Sequence, residues 1–137
     1  MKRLPIITII VLLLTPWMFA QDKALKAGQT AAESWLALVD KGDYAGSYDQ
    51  AASLFKSAVT KADWQQKIKA ARDPLGKMLS RKVKFVEYTT SLPGAPDGQY
   101  VVIQYDTSFE NKKSAVETVT PMLDKDGQWR VSGYFVR

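Results

Sequence analysis

The spacing of apolar residues changes near Arg81, and this change limits the possible folds more than any other feature of the chain. Before Arg81, apolar residues recur at steps of three and four, which is the period of one face of an α-helix. After Arg81 they alternate with other residues, which is the period of a β-strand. Three helical segments followed by four strand segments predict an α+β fold, with the helices packed on one face of a sheet.

The helical half, about residues 23–79, contains signals that divide it into three predicted helices. Gly42 is typical of the end of a helix, and Asp43 is typical of the cap that begins the next one. Thr60 is the predicted cap of the third helix. Pro74 ends that helix, because proline has no backbone N–H to donate and disfavours helical backbone in the residue before it.

The strand half, about residues 82–137, has short connections between its strands, including an Asp-Gly turn pair at residues 126–127. Four strands joined by short turns are expected to pair antiparallel in chain order. Gly133 lies in the last strand and has no side chain, so we expect it to let a helix approach the sheet closely.

The first twenty residues have the order of a secretory signal peptide. Two positive charges precede residues 4–19, which are apolar apart from two Thr and two Pro, and the small residue Ala20 follows. Cleavage after Ala20 predicts a single mature domain of residues 21–137, either in the periplasm of a Gram-negative bacterium or released outside the cell. The alternative is an uncleaved membrane anchor, because the apolar run approaches the roughly 17 residues that a short membrane span needs.

The chain contains neither cysteine nor histidine, which excludes several kinds of site. Disulfides, metal sites built on thiolate or imidazole, and Ser-His-Asp or Cys-His catalysis are all excluded. No glycine-rich phosphate loop or dinucleotide fingerprint occurs, so we expect no cofactor. Stability must therefore come from the hydrophobic core.

Positive charge is concentrated in residues 56–84, which hold nine Lys or Arg against two Asp. The net charge of +5 falls to +3 without the two cations of the leader, and with an export signal this argues against a nucleic-acid partner. Arg81, Lys82 and Lys84 are candidate contacts for an anionic partner, such as the surface of an anionic lipid membrane. The alternative, which we favour, is that the cations are the solvated face of a helix.

Four segments of the chain together carry a resemblance to a known family: ARDPLG (71–76), SLPGAPDGQYVVIQY (91–105), SAVETVTPM (114–122) and DGQWRVSGYFVR (126–137). They resemble a family of small exported bacterial proteins, the domain of unknown function 4019. The resemblance extends from about residue 31 to residue 137, and the family has no assigned activity or functional residues to carry over. The Asp-Gly turn followed by Trp129 and Gly133-Tyr134 also resembles the last strand of nuclear-transport-factor-2-like (NTF2-like) and cystatin-like folds. That likeness implies helices across a curved antiparallel sheet, often with a conical pocket.

Glu117 is the one candidate catalytic residue. It falls on the apolar face of its predicted strand, and a general base needs a pKa raised by burial. By analogy of fold alone, it would serve a cofactor-free isomerase or hydratase, with Tyr88, Tyr105 or Arg72 as partners. The alternative, which we favour, is an exposed Glu117 paired with a lysine such as Lys113.

Trp64, Tyr88 and Tyr105 are the candidate lining of a pocket between helices and sheet, since aromatic side chains line many ligand sites. Trp35, Trp64 and Trp129 also fall where the periodicity predicts core, and for these we favour core packing. The expected function is a non-catalytic binding or interaction module of the bacterial envelope, with a small ligand or an envelope component as its partner. The alternatives are the cofactor-free enzyme and an envelope stress or assembly factor.

Overall fold

The computed structural model of the chain describes residue 10 and residues 15–137. Within these residues helices precede strands, which confirms the predicted α+β order. The helices are α1 (Pro16–Asp40), α2 (Tyr44–Asp49), α3 (Ser53–Ala58), α4 (Lys61–Arg72) and a 3-10 helix (Asp73–Leu75), and the strands are β1 (Met78–Thr89), β2 (Tyr100–Phe109), β3 (Lys112–Leu123) and β4 (Trp129–Val136).

The four strands form one curved, open sheet in the order β1-β2-β3-β4, with every neighbouring pair antiparallel, as predicted. The register of β1 against β2 shifts twice, between Met78 and Ser80 and between Val83 and Phe85. Each shift leaves one β1 residue without a partner on β2. Such bulges bend a strand and increase its twist.

Helix α1 crosses the sheet and contacts all four strands. It approaches the sheet closely at Gly28, where an added Cβ would lie 2.8 Å from Cβ of Val101 on β2. The glycine that permits this approach therefore belongs to the helix. The prediction for Gly133 is wrong, because the nearest atom to a Cβ added there is Thr120 Cβ on the neighbouring strand, 4.0 Å away, and no helix atom is closer.

The predicted second helix is two short helices, α2 and α3, because tertiary hydrogen bonds hold the chain between them against the sheet. The backbone N–H of Ala52 donates to the carbonyl of Val131 on β4 at 2.8 Å. At the start of α3, the Ser53 N–H and hydroxyl both donate to Asp124 Oδ2, at 3.0 and 3.1 Å.

The predicted caps are confirmed. Asp43 accepts a hydrogen bond from the Gly46 N–H at 2.9 Å, and Thr60 accepts one from the Asp63 N–H at 3.2 Å. Gly42 has a positive φ of 79° just after the end of α1, and α4 ends at Arg72, two residues before the proline.

Helix α1 begins at Pro16, earlier than the predicted start near residue 23, so the predicted cleavage point after Ala20 falls inside it. Residues 1–9 and 11–14 of the predicted leader lie outside the described residues, and the signal peptide stays a prediction. None of the helices in the described part of the chain has the length and apolar character needed to cross a membrane.

The core lies between the helices and one face of the sheet, and Ser47 ties two of its tryptophans together. Trp35 Nε1 donates to the Ser47 carbonyl at 2.8 Å, and Trp64 Nε1 donates to the Ser47 hydroxyl at 2.9 Å. The ring of Phe55 packs edge-on against Trp64, with centroids 4.7 Å apart. Core packing of Trp35 and Trp64 is thus confirmed, while Trp129 is half-buried at the edge of the core.

No described element covers the opposite face of the sheet. Phe85, Gln104, Thr118 and Phe135 form one row across the four strands of this face. The two phenylalanines at its ends are 45% and 58% exposed. We call this surface the open face.

Candidate functional site

Four charged side chains from distant parts of the chain meet between the helices and the sheet. Asp40 ends α1, Arg72 ends α4, Arg81 lies on β1 and Glu117 on β3. Both terminal nitrogens of Arg81 donate to the Asp40 carboxylate, at 2.7 and 2.9 Å, and its Nε donates to Glu117 Oε1 at 2.7 Å. Arg72 Nη2 donates to Asp40 Oδ1 at 2.8 Å, and its Nη1 lies 3.8 Å from Glu117 Oε2. We call these four residues the charge network.

Glu117 is completely buried at 0% exposure, so the expectation of an exposed residue paired with Lys113 is wrong. It accepts hydrogen bonds from Arg81, from the Thr107 hydroxyl at 2.6 Å and from the Tyr134 hydroxyl at 2.5 Å, whereas Arg72 is close but not hydrogen-bonded to it. The alternation of β3 places the side chain on the inner face of the sheet, where the two arginines compensate its charge.

Ion pairing decides the protonation of the charge network. Burial alone would raise the pKa of Asp40, but its hydrogen bonds with Arg81 and Arg72 outweigh burial and hold the pKa below its ordinary value. Burial would lower the pKa of Arg81, and its bonds to Asp40 and Glu117 raise it instead. The pKa of Tyr134 is raised, first by burial and then by the charge of Glu117. Asp40, Arg72 and Arg81 therefore keep their charges at neutral pH.

The Glu117 carboxylate is saturated by donors from its own chain, and it lines neither of the two clefts described below. A general base must come within hydrogen-bond reach of a substrate proton. The geometry of Glu117 instead suits a structural role, in which one buried carboxylate on β3 contacts residues of α4, β1, β2 and β4. Of the partners expected from sequence, Arg72 lies 3.8 Å from Glu117 Oε2, whereas neither Tyr88 nor Tyr105 hydrogen-bonds to Glu117. Its bonds with Arg81, Thr107 and Tyr134 were not foreseen.

The three basic residues expected to contact an anionic partner do not share one environment. The Arg81 side chain is 12% exposed and is fully engaged by Asp40 and Glu117, so it is not an accessible contact. Lys82 and Lys84 are exposed on β1, and the ammonium of Lys84 lies 3.8 Å from the carboxylate of Asp106.

The three aromatic residues expected to line a pocket line neither described cleft. Trp64 belongs to the core, and Tyr88 is half-buried, with its hydroxyl 3.4 Å from Gln99 Oε1. Tyr105 is buried, and its hydroxyl has no hydrogen-bond partner among the described residues. Burial raises the pKa of Tyr105 to about 12, with the charge of Glu33 adding to the effect.

A cleft of about 850 Å³ lies between α1 and the start of β4. Its volume falls within the roughly 300–1,000 Å³ of small-molecule sites. We call it the α1–β4 cleft. It is lined by Lys23, Lys26, Ala27, Thr30, Ala31, Ser34, Trp35, Leu38, Gln50, Gly127, Gln128, Trp129, Arg130 and Val131.

A smaller cleft of about 490 Å³ lies beside the charge network. Asp40 and Arg72 line it, together with Tyr44, Asp73 and Lys77. The Tyr44 hydroxyl donates to Asp73 at 2.8 Å, and Lys69 pairs with the same carboxylate at 3.1 Å. The two carboxylates of this cleft, Asp40 and Asp73, are already paired with cations, and its volume is the smaller of the two, so it offers less to a ligand than the α1–β4 cleft.

Sequence patterns missed the α1–β4 cleft because its walls come from two ends of the chain. One signal was present: Ala27 and Ala31 lie one turn apart on α1, where small side chains leave space on a helix surface. The helix periodicity assigned Trp35 to the core, and the structure shows that it is also the floor of the cleft.

Fold and site together define a small α+β domain with a buried charge network and one large open cleft. The family model described as protein of unknown function (DUF4019) matches residues 31–134, and the chain belongs to this family. The comparison with curated proteins gave no match.

Proposed function

We propose that the chain is an exported, non-catalytic binding module of the bacterial envelope, and that the α1–β4 cleft is its binding site. The observation that carries this proposal is the cleft itself, which combines a volume typical of ligand sites with aromatic side chains on its floor. Trp35, 2% exposed, contributes a rigid part of that floor, because its indole N–H is fixed by the Ser47 carbonyl and its ring packs against Tyr134.

The geometry of Glu117 favours binding over catalysis. A cofactor-free enzyme of the expected kind would need this carboxylate in an open cavity beside a tyrosine. Glu117 does contact Tyr134, but it is enclosed and ion-paired and lines neither cleft. Of the two features that the enzyme hypothesis requires, the neighbouring tyrosine is present, but an open cavity that admits a substrate to Glu117 is not.

Native mass spectrometry of protein isolated from expressing cells tests the binding function. The wild-type protein is expected to carry an additional mass, which an Ala31→Trp variant should lose because the new side chain fills the cleft. An Ala31→Gln variant at the same helix position fills far less of the cleft and is the matched control. An unliganded wild-type protein, or the same retained mass in Ala31→Trp, would contradict the proposal.

The proposed export of the protein and the cleavage of its signal peptide are tested separately by cell fractionation and N-terminal sequencing. We expect the mature protein in the periplasm or the medium, with Gln21 as its first residue. A chain that retains Met1 and sediments with the inner membrane would instead support the uncleaved anchor.

A further inference from the structure

We infer that the α1–β4 cleft takes a free anionic amphiphile, a molecule with one elongated apolar body and one anionic head group. This inference rests on the proposed binding function and adds the chemical class of the ligand. It follows from the distribution of charge and apolar surface within the lining.

The apolar part of the lining forms a groove along α1. Ala27, Ala31, Trp35 and Leu38 come from the helix, and Trp129 faces them from the start of β4. From Lys23 to Leu38 the helix rises about 22 Å, at 1.5 Å per residue. A groove of this length and width suits an extended hydrocarbon chain better than a compact polar molecule.

The charged part of the lining is positive. It contains Lys23, Lys26 and Arg130 and no Asp or Glu. The guanidinium of Arg130 is already held by the Asp126 carboxylate, through contacts of 2.7 and 2.9 Å, so it has little charge to offer. The recognition of an anion therefore depends on the two lysines.

Lys23 and Lys26 form no ion pair with any residue that the structure describes. They are three residues apart on α1, so their side chains lie on the same side of the helix. The cationic end of the cleft is thus the end nearest the start of α1, and the tail of the ligand would extend towards Leu38.

Isothermal titration calorimetry with dodecanoate and with uncharged dodecanol, both below micelle-forming concentration, tests this inference. We expect wild-type protein to bind dodecanoate more tightly than dodecanol. The Lys23→Gln/Lys26→Gln variant should lose about tenfold in affinity for dodecanoate and little for dodecanol, since two exposed charge contacts are each worth a few-fold. Ala31→Trp should bind neither probe.

The matched control is Lys67→Gln/Lys125→Gln, which removes two exposed lysines that do not line the cleft and should leave both affinities unchanged. Thermal unfolding followed by circular dichroism verifies that each variant is folded. All three variants change side chains that are exposed or half-buried, so loss of the fold is not expected.

Three results would overturn the inference. Equal affinity for both probes, abolished in Ala31→Trp, would refute the anionic class while the binding function stands. Failure of both probes, with a native mass still retained by wild type and lost in Ala31→Trp, would refute the amphiphile class alone. Binding to phosphatidylglycerol vesicles without binding to free dodecanoate would assign head-group recognition to a membrane surface.

Discussion

Glu117 is buried against two arginines, so its removal would leave buried positive charge uncompensated. Replacing it by Gln removes the charge but keeps the shape of the side chain. Arg81 and Arg72 then share a single carboxylate, that of Asp40, in a buried environment. Breaking a buried ion pair from one side costs about 3–5 kcal/mol, so we expect Glu117→Gln to lower the free energy of unfolding by about 3 kcal/mol, measured by urea denaturation.

Asp106→Asn is the control for this prediction. Asp106 is also a strand carboxylate, but it is exposed and lies 3.8 Å from Lys84. Its replacement should change the free energy of unfolding by less than about 0.5 kcal/mol. Equal effects of the two substitutions would show that the charge network does not stabilise the fold.

The stability of the protein should decrease at both ends of the pH range, with Asp40 contributing at the acid end and Tyr105, together with Tyr44 and Tyr134, at the alkaline end. The pKa of Asp40 is lower in the folded than in the unfolded state, so its contribution is present above about pH 4 and is lost as the pH falls further. The pKa of Tyr105 is raised to about 12, so its contribution is complete below its ordinary value, about pH 10, and is lost as the pH rises from there towards 12.

A Tyr105→Phe variant isolates the part of the stability loss at alkaline pH that is due to Tyr105. The Tyr105 hydroxyl has no described hydrogen-bond partner, so its removal should leave stability at neutral pH unchanged or slightly higher. Urea midpoints measured at about pH 7 and about pH 11 should therefore differ less in Tyr105→Phe than in wild type. An unchanged difference would mean that Tyr105 does not titrate with unfolding.

At single positions, sequence reasoning identified the important carboxylate but not its surroundings. The alternation along β3 put Glu117 on the apolar face, which is where it lies. The charges that decide its behaviour come from positions 40, 72 and 81, which are brought together only by the packing of helices on the sheet. A local sequence pattern carries no information about contacts between residues that are so far apart in the chain.

Close contact between α1 and the sheet depends on the absence of a side chain at Gly28. Alanine favours helix over glycine, by about 1 kcal/mol in an exposed position. Gly28→Ala should nevertheless lower the free energy of unfolding, by roughly 1–3 kcal/mol, because its Cβ would lie 2.8 Å from Val101 Cβ.

A double-mutant cycle with Val101→Ala tests whether that contact is the cause. Val101→Ala keeps the Cβ and removes both methyl groups, which also approach the added atom closely, at 2.8 and 3.2 Å. The double variant should therefore be less destabilised than the sum of the two single variants. Strict additivity in thermal or urea unfolding would refute this account of Gly28.

Helix ends were predictable wherever the signal is local. Asp43, Thr60 and Pro74 act through hydrogen bonds or steric limits within a few residues, and each marks a helix end in the structure. The break between α2 and α3 was not predictable in this way. It depends on bonds from Ala52 and Ser53 to partners more than seventy residues away in sequence, at positions 131 and 124.

Contact between an anionic membrane surface and the exposed lysines of β1, beside the open face, remains a proposal. Lys82→Glu/Lys84→Glu should weaken sedimentation with phosphatidylglycerol vesicles by more than about tenfold, because each cation near such a surface contributes about 1 kcal/mol. Lys67→Glu on α4 is the control, since this lysine is exposed on a different element. Vesicle binding that is equal in the two variants would exclude β1 as the contact.

For the molecule as a whole, the fold class, the antiparallel order of the strands and the family were all predictable from sequence. The α1–β4 cleft was not, because it is a space between α1 and β4, which are formed by residues near the two ends of the described chain. Periodicity shows which face of each element is apolar. It does not show where the apolar faces of two elements pack incompletely and leave a cleft between them.

The two edges of the sheet differ in how they discourage unwanted assembly. The backbone of β4 already bonds to Ala52, so another chain would have to displace a native hydrogen bond to pair there. The outer edge of β1 faces no described strand, but it is bent by two bulges, and Lys84 is the unpaired residue of one of them. Irregular, charged edges resist the strand-by-strand addition that builds fibrils. Lys84 supplies both a charge and the extra residue of one bulge, so it contributes to the irregularity of the β1 edge in two ways.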